Sequence, residues 1–205
     1  NNKGTIRQIG LENASVTGRN YTGGLIGYNY GGGIIETCYA TSNVSGASYV
    51  GGLAGYNGYS DVIIRNCYAT GNVTATGSRV GGLVGYNYYY ALVEKSYAVC
   101  NVSGTSSVGG LVGENSNVNN YYATIRNCYA GGNITGTGSN IGVVVGYQAG
   151  VFTNNYRLDT ATGDGSYGTA ATQAELQSGT FLFNTLTWDI TTIWQALADN
   201  WPELR

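Results

Sequence analysis

The feature that most constrains this chain is a short unit that returns at nearly constant spacing. Gly81-Gly82-Leu83-Val84-Gly85-Tyr86-Asn87 matches Gly23-Gly24-Leu25-Ile26-Gly27-Tyr28-Asn29 and Gly51-Gly52-Leu53-Ala54-Gly55-Tyr56-Asn57. Gly109-Gly110-Leu111-Val112-Gly113-Glu114-Asn115 is a fourth copy, and Gly142-Val143-Val144-Val145-Gly146-Tyr147-Gln148 a degenerate fifth. Their last glycines lie at 27, 55, 85, 113 and 146, giving intervals of 28, 30, 28 and 33 residues. A period of this size marks a solenoid, propeller or repeat array. A second unit keeps step: Cys38-Tyr39-Ala40-Thr41-Ser42-Asn43-Val44, Cys67-Tyr68-Ala69-Thr70-Gly71-Asn72-Val73, Ser96-Tyr97-Ala98-Val99-Cys100-Asn101-Val102 and Cys128-Tyr129-Ala130-Gly131-Gly132-Asn133-Ile134. Leu11 to Val16 looks like a worn half-copy ahead of the first.

Within a repeat, apolar runs are short and bounded by Gly, Asn and Ser, which favours strands over helices. In the third repeat the runs are Val80 to Tyr86, Ala91 to Tyr97 and Cys100 to Val102. Three strands in about 29 residues suit one turn of a right-handed parallel β-helix, each coil about 4.8 Å from the next. One coil cannot bury its own apolar face, so neighbours must cover it. Equivalent residues then form columns. Three are expected to point inward: Leu25, Leu53, Leu83, Leu111 and Val144; Ile35, Ile64, Val93 and Ile125; Val44, Val73, Val102 and Ile134. Asn29, Asn57, Asn87 and Asn115, with Gln148, are expected to form an amide ladder. The flanking glycines meet a need for positive φ or for close backbone approach. Glu36, Arg65, Glu94 and Arg126 alternate in sign at one repeat position, as favourable neighbours on adjacent strands would.

The predicted fold is therefore all-β, a right-handed parallel β-helix of about five coils. Residues 1–20 supply an edge strand and a partial first coil, 21–150 the repeats, and 151–205 a C-terminal cap over the open end. In the cap, Thr172-Gln173-Ala174-Glu175 reads as a capping box opening a short helix to about Ser178. Trp188, Ile190, Ile193, Trp194, Leu197, Trp201 and Leu204 form its apolar set.

Gly-Leu-aliphatic-Gly followed by Tyr-Ala-Thr-Gly-Asn-Val resembles the GLUG repeat family, found in bacterial and archaeal surface proteins, adhesins and non-catalytic regions of some immunoglobulin-A peptidases. The resemblance covers residues 11–205. The Trp188-Asp189-Ile190, Ile193-Trp194 and Trp201-Pro202-Glu203-Leu204-Arg205 segments are similar to the ending that closes such arrays. Departures are Ser96 for Cys, Glu114 for Tyr and Val143-Val144 for Gly-Leu, which predicts a distorted fifth coil. The resemblance implies an extracellular β-solenoid and no particular activity.

Only 10% of the 205 residues are charged and the net charge is -2. Without a basic stripe, nucleic acid is not an expected partner. No apolar run approaches the roughly 18 residues of a membrane span. The start at Asn1 rather than Met suggests a processed or excised segment. The chain has no His, so a Ser-His-Asp or Cys-His catalytic arrangement is impossible. Zinc is also disfavoured, since there is no Cys-x-x-Cys pair either. Glu36 and Glu94 share a column with Arg65, which points to ion pairing rather than acid–base catalysis. Asp159 and Asp164, in the Gly-rich loop 159–168, are the nearest approach to a calcium site but lack the spacing of known calcium loops. No catalytic residue, metal or cofactor is assigned, and an enzyme is not expected.

Cys38, Cys67 and Cys128 share one repeat position with Ser96, a column of small residues. A disulfide between Cys38 and Cys67 would need a poor dihedral, and Cys100 stands off the column, free or paired. Asn13, Asn20, Asn43, Asn72, Asn101 and Asn133 each begin Asn-x-Ser/Thr, candidate glycosylation sites or turn asparagines. Tyr39, Tyr68, Tyr97 and Tyr129 read as packing residues. Tyr30, Tyr59, Tyr88, Tyr89, Tyr90, Tyr121 and Tyr122 crowd the loop after the amide ladder. They are candidates for an exposed strip that meets glycans, proteins or a second copy of the chain. The expected role is a structural or adhesive extracellular module, a surface stalk or adhesin. The alternative is a self-assembling filament subunit, and a polysaccharide-acting enzyme comes third.

Overall fold

The computed structural model describes residues 1–163, 167–197 and 200–205. The chain winds into about five stacked coils of a parallel β-solenoid. A first sheet carries Thr5–Arg7, Ile34–Glu36, Ile63–Arg65, Leu92–Glu94, Thr124–Arg126 and Val151–Thr153, in that spatial order. A second carries Gly10–Thr17, Tyr39–Gly46, Tyr68–Ala75 and Tyr97–Gly104, then Tyr129–Gly131, Tyr156–Leu158 and Thr169–Ala171. Every pairing along these two runs is parallel and joins equivalent repeat positions, as in Tyr68↔Tyr97 and Val93↔Ile125. Leu53 therefore sits one coil from Leu83, each donating its N–H to the Leu carbonyl of the following coil.

The strand boundaries differ from expectation in two places. The run Val80 to Tyr86 divides into Val80–Gly81 and Val84–Tyr88, on a third and a fourth sheet. The expected break near Val99 is absent, and Tyr97–Gly104 is one strand. The corner lies earlier, at Lys95. There Gln8, Thr37, Asn66, Lys95, Asn127 and Asn154 all adopt φ of 48–55°. A second left-handed corner stacks Tyr21, Tyr49, Arg79, Ser107 and Asn140 at φ of 50–64°. These two turns thus use non-glycine residues, while the Gly-Gly-Leu glycines serve close approach. A Cβ on Gly82 would meet the Gly110 carbonyl oxygen at 2.0 Å and the Ala98 side chain at 3.0 Å. Gly24, Gly52 and Gly110 face the following coil's carbonyl in the same way.

That contact explains Val143. It holds the Gly82 position in the last full coil, where no further coil follows, so a side chain fits and Gly163 lies against it. The fifth coil is not distorted there: Ile141–Gly142 and Val145–Gln148 keep the register of the coil before. Irregularity falls earlier, around Gly132, where the second-sheet strand is divided into Tyr129–Gly131 and Ile134–Gly136.

The three expected inward columns form the core. Leu53, Leu83, Leu111, Val144, Ile35, Ile64, Val93, Ile125, Val44, Val73, Val102 and Ile134 are all buried, with Leu25 partly so at the N-terminal end. Beside them runs the amide ladder. Asn29 Nδ2 donates to Asn57 Oδ1 at 2.8 Å, Asn57 to Asn87 at 2.9 Å, Asn87 to Asn115 at 2.8 Å and Asn115 to Gln148 at 3.0 Å. Asn2, outside any repeat, starts it by donating to Asn29 at 2.8 Å. Outside the first sheet Arg65 pairs with Glu36 at 2.6 Å and Arg126 with Glu94 at 2.7 Å, and Arg7 lies 3.6 Å from Glu36. The alternating column pairs off by twos, so Arg65 serves Glu36 and not Glu94.

The C-terminal segment does more than close an end. Thr169–Ala171 adds a strand to the second sheet, and Gly163 and Gly168 lie against Val143 and Val144. From Thr172 onward the chain turns back along the outer flank. Thr172 caps the helix Gln173–Gln177 through the expected reciprocal box with Glu175, and Ser178 caps a second helix, Gly179–Asn184. The hairpin Trp194–Leu197 with Asn200–Leu204 follows. This tail buries Trp188, Trp194, Leu182 and Leu186 against Tyr68, Tyr97 and Tyr129. Trp188 Nε1 donates to the Asn127 carbonyl at 2.9 Å, and Tyr97 OH to the Pro202 carbonyl at 2.7 Å. The reason is the tyrosine column itself. Side chains on a strand alternate between faces, so an inward Ala40, Ala69 or Ala98 sends its Tyr neighbour outward, and a hydrophobic stripe of stacked rings requires cover.

Candidate functional site

Two tyrosine columns leave the solenoid, and they fare differently. Tyr39, Tyr68, Tyr97 and Tyr129 stack with centroids 4.9, 5.1 and 4.8 Å apart, within 5° of parallel. The tail covers the inner members, and burial pushes the Tyr97 and Tyr129 phenols well above their ordinary pKa. The other column belongs to the repeat unit: Tyr28, Tyr56 and Tyr86, on the fourth sheet, with Tyr56 buried among neighbouring rings and Tyr28 and Tyr86 half-buried. Tyr28 and Tyr56 stack at 4.2 Å and 2°.

This second column joins the candidate strip into one face. Tyr28 meets Tyr30 at 5.3 Å, Tyr56 meets Tyr59 at 6.0 Å and Tyr86 meets Tyr88 at 5.1 Å. Tyr59 touches Tyr88 and Tyr89, and Tyr89 continues to Tyr90 and Tyr121. Tyr122 lies beside Tyr121 on a two-residue strand paired antiparallel to Val112–Val118, its hydroxyl donating to Asn120. Six of the seven strip residues therefore share one ring-to-ring network, and Tyr122 flanks it. Tyr59 and Tyr90 are about half exposed, at 49% and 50%.

The network extends beyond the strip. Tyr21 stacks on Tyr49 at 4.5 Å and edges onto Tyr28 and Tyr56. These four, with Tyr86, were the missed members. The Gly-Tyr-Asn of the repeat carries Tyr28, Tyr56 and Tyr86, and the period of 2 along a strand places them outward. Tyr21 and Tyr49 stand one coil apart at a corner, a link only the turn geometry reveals. Arg79 follows them in that column and lies 5.1 and 5.0 Å over the Tyr49 and Tyr86 rings, with its Nε 2.9 Å from Glu114. Glu114 thus departs from Tyr where the corner offers a cation. Burial, then the Glu114 charge, raise the Tyr86 phenol to about 12. Lys3, over Tyr30, and the Arg79–Glu114 pair bring charge to the face.

The sequons divide into two groups. Asn43, Asn72, Asn101 and Asn133 form an exposed row on the second sheet. Asn72 Nδ2 donates to Asn43 Oδ1 at 3.0 Å and Asn101 Nδ2 to Asn72 Oδ1 at 3.2 Å. Asn13, at the bulge of Gly10–Thr17 with φ 50°, and Asn20 stand exposed outside that row. All four cysteines are buried free thiols. Cys38, Cys67 and Cys128 each donate Sγ–H to the carbonyl two residues back, as Ser96 does with its hydroxyl. Asn155 continues the column, accepting the Cys128 N–H at 3.0 Å. Asp164 lies outside the described residues, and among those described no cluster of ligating side chains could hold a metal.

Stacked coils of one repeated unit, with an aromatic face turned outward, define a repeat protein of the β-solenoid class. The GLUG motif matches at residues 18–45, 46–74, 76–103 and 104–135, more than half of the chain, and the protein belongs to that family. Each match begins at or just past the end of one second-sheet strand and ends within the next, so one motif is one turn of the solenoid. A search of curated proteins found no match.

Proposed function

We propose that this solenoid is a non-catalytic structural and adhesive module of an extracellular or cell-surface protein, with the tyrosine face as its contact surface. One observation carries this: the ring-to-ring network from Tyr21 to Tyr121 presents exposed rings at Tyr21, Tyr59, Tyr90 and Tyr121 around a buried Tyr56, while the chain covers its other tyrosine column with its own tail. Tyr is favoured where surfaces meet, because it offers area at low entropic cost and a hydroxyl for water or a partner. The carboxylates support a scaffold role. Glu36, Glu94 and Glu114 are committed to arginines and Glu175 and Asp189 to local caps.

Antibody labelling of intact source cells tests the location: signal only after permeabilisation overturns it. The triple variant Tyr59→Ser, Tyr90→Ser, Tyr121→Ser tests the face. It is expected to keep the far-ultraviolet spectrum and lose adhesion of the purified chain to those cells. Unchanged adhesion refutes the assignment. Regular fibres of this chain alone, seen by electron microscopy of native material, would favour the filament subunit instead.

A further inference from the structure

We propose that the outer face of the second sheet, beside the tail hairpin, is a binding trough for a linear neutral oligosaccharide. Two shallow cavities of ≈300 and ≈310 Å³ lie end to end on the strands Tyr68–Ala75 and Tyr97–Gly104. The first is walled by Asn200, Trp201 and Glu203 of the hairpin and floored by Thr70 and Val99. The second is floored by the amides of Asn72 and Asn101 and the hydroxyls of Thr74 and Ser103. Outward residues alternate along each strand, so hydroxyl, amide and hydroxyl follow in sequence at Thr70, Asn72 and Thr74, about 6.5 Å apart.

The lining chemistry selects the ligand. Among the described residues no Lys or Arg lines either cavity, so an anionic polymer finds no counter-charge there. Glu203, an exposed carboxylate, accepts hydrogen bonds from a diol but repels an anion. Trp201 is half-buried with its ring 6.5 Å from Tyr97, and offers an apolar surface for the C–H face of a pyranose. Asn72 and Asn101 each spend one amide N–H on the preceding coil. Both side chains are exposed and line the cavity, and their amides recur at the strand spacing, which suits a ligand that presents hydroxyls at a regular interval. This row is the one that reads as sequons. Its in-register amides, about 4.8 Å apart, leave little room for a glycan on each, and the same regularity suits one sugar chain lying across them.

Titration calorimetry of the full chain with cellohexaose, laminarihexaose and mannohexaose tests the trough, with tryptophan emission as a second readout. Trp188 and Trp194 are fully buried, so a ligand-induced shift reports Trp201. Saturable binding of at least one hexasaccharide is expected, weakened about tenfold or more by Thr74→Arg and by Asn101→Ala, as loss of one or two hydrogen bonds would do. Both positions are on the surface, and an unchanged far-ultraviolet spectrum checks the fold. Tyr59→Ser is expected to leave this binding intact, which separates the trough from the tyrosine face. The proposal is overturned by absence of binding at millimolar saccharide, by preference for polygalacturonate, by insensitivity to Thr74→Arg, or by self-association of the chain that Thr74→Arg abolishes.

Discussion

Asn87 is completely buried, accepts from Asn57, and donates to Asn115. A buried amide is tolerable only when its bonds are met, and here each ladder residue meets its neighbour's need. Asn87→Ala would strand a donor on Asn57 and an acceptor on Asn115. The expected loss is about 2–5 kcal/mol, a fall in Tm of roughly 5–15 °C for a chain of this size. Asn43→Ala, in the exposed row, should stay within about 0.5 kcal/mol. Paired thermal melts compare the two. Thr37 offers the opposite case. It is β-branched at φ 55°, where L-residues other than Asn and Asp pay about 1–2 kcal/mol. Its column already holds Asn66, Asn127 and Asn154, so Thr37→Asn should stabilise by up to about 1 kcal/mol, read as a higher denaturation midpoint. The amide ladder was legible in the sequence because it recurs at the repeat period. Its first member, Asn2, was not read: it stands 27 residues ahead of Asn29, on the same period, but without the glycine-rich unit that marks the other rungs.

At the scale of the strand and the coil, the glycine unit is a spacing device. Gly82→Ala must move the Gly110 carbonyl, which is backbone, and overpacking of that kind costs about 1–3 kcal/mol. The same methyl is already present in Val143, in the coil with no successor. The urea midpoint should therefore fall for Gly82→Ala. The inward columns and the charge column were legible because period and strand alternation determine them. The corners were not. Left-handed backbone fell on Lys95, Thr37, Tyr49 and Arg79, residue types that carry no turn signal, and so the strand limits were misplaced by several positions. The strip was legible as crowded tyrosines, but its union with Tyr21 and Tyr49 needed the corner geometry.

For the whole molecule, the tail lies against the coils through one aromatic interface. All three tryptophans lie in the tail, so their emission reports docking while far-ultraviolet dichroism reports the coils. Asp189 accepts from the Thr191 and Thr192 N–H groups and hydroxyls, which hold its carboxyl far below the usual range, and the Thr172 cap lowers Glu175. A depressed carboxyl contributes its full stabilisation above the unfolded-state pKa and loses it as pH falls through the folded value. The tail should therefore loosen below the ordinary carboxylate range. Tryptophan emission should shift red in acid before strand dichroism is lost, and Asp189→Asn should remove much of that acid dependence. The tail's return along the flank, rather than over the end alone, was invisible in a sequence whose tryptophans signalled only that something must be buried.

The backward reach of that tail sets a direction for growth. Its anchors, Asn127, Tyr129, Tyr97 and Tyr68, lie at fixed distances from the C-terminal end, and none depends on what precedes Tyr39. Gene duplication of a whole motif upstream would lengthen the rod, extend each ladder by one rung and leave the clasp untouched. A duplication between Tyr97 and Tyr129 would slide the clasp onto the wrong rungs. Arrays built on this plan should vary in length at their leading end and keep their trailing coils constant.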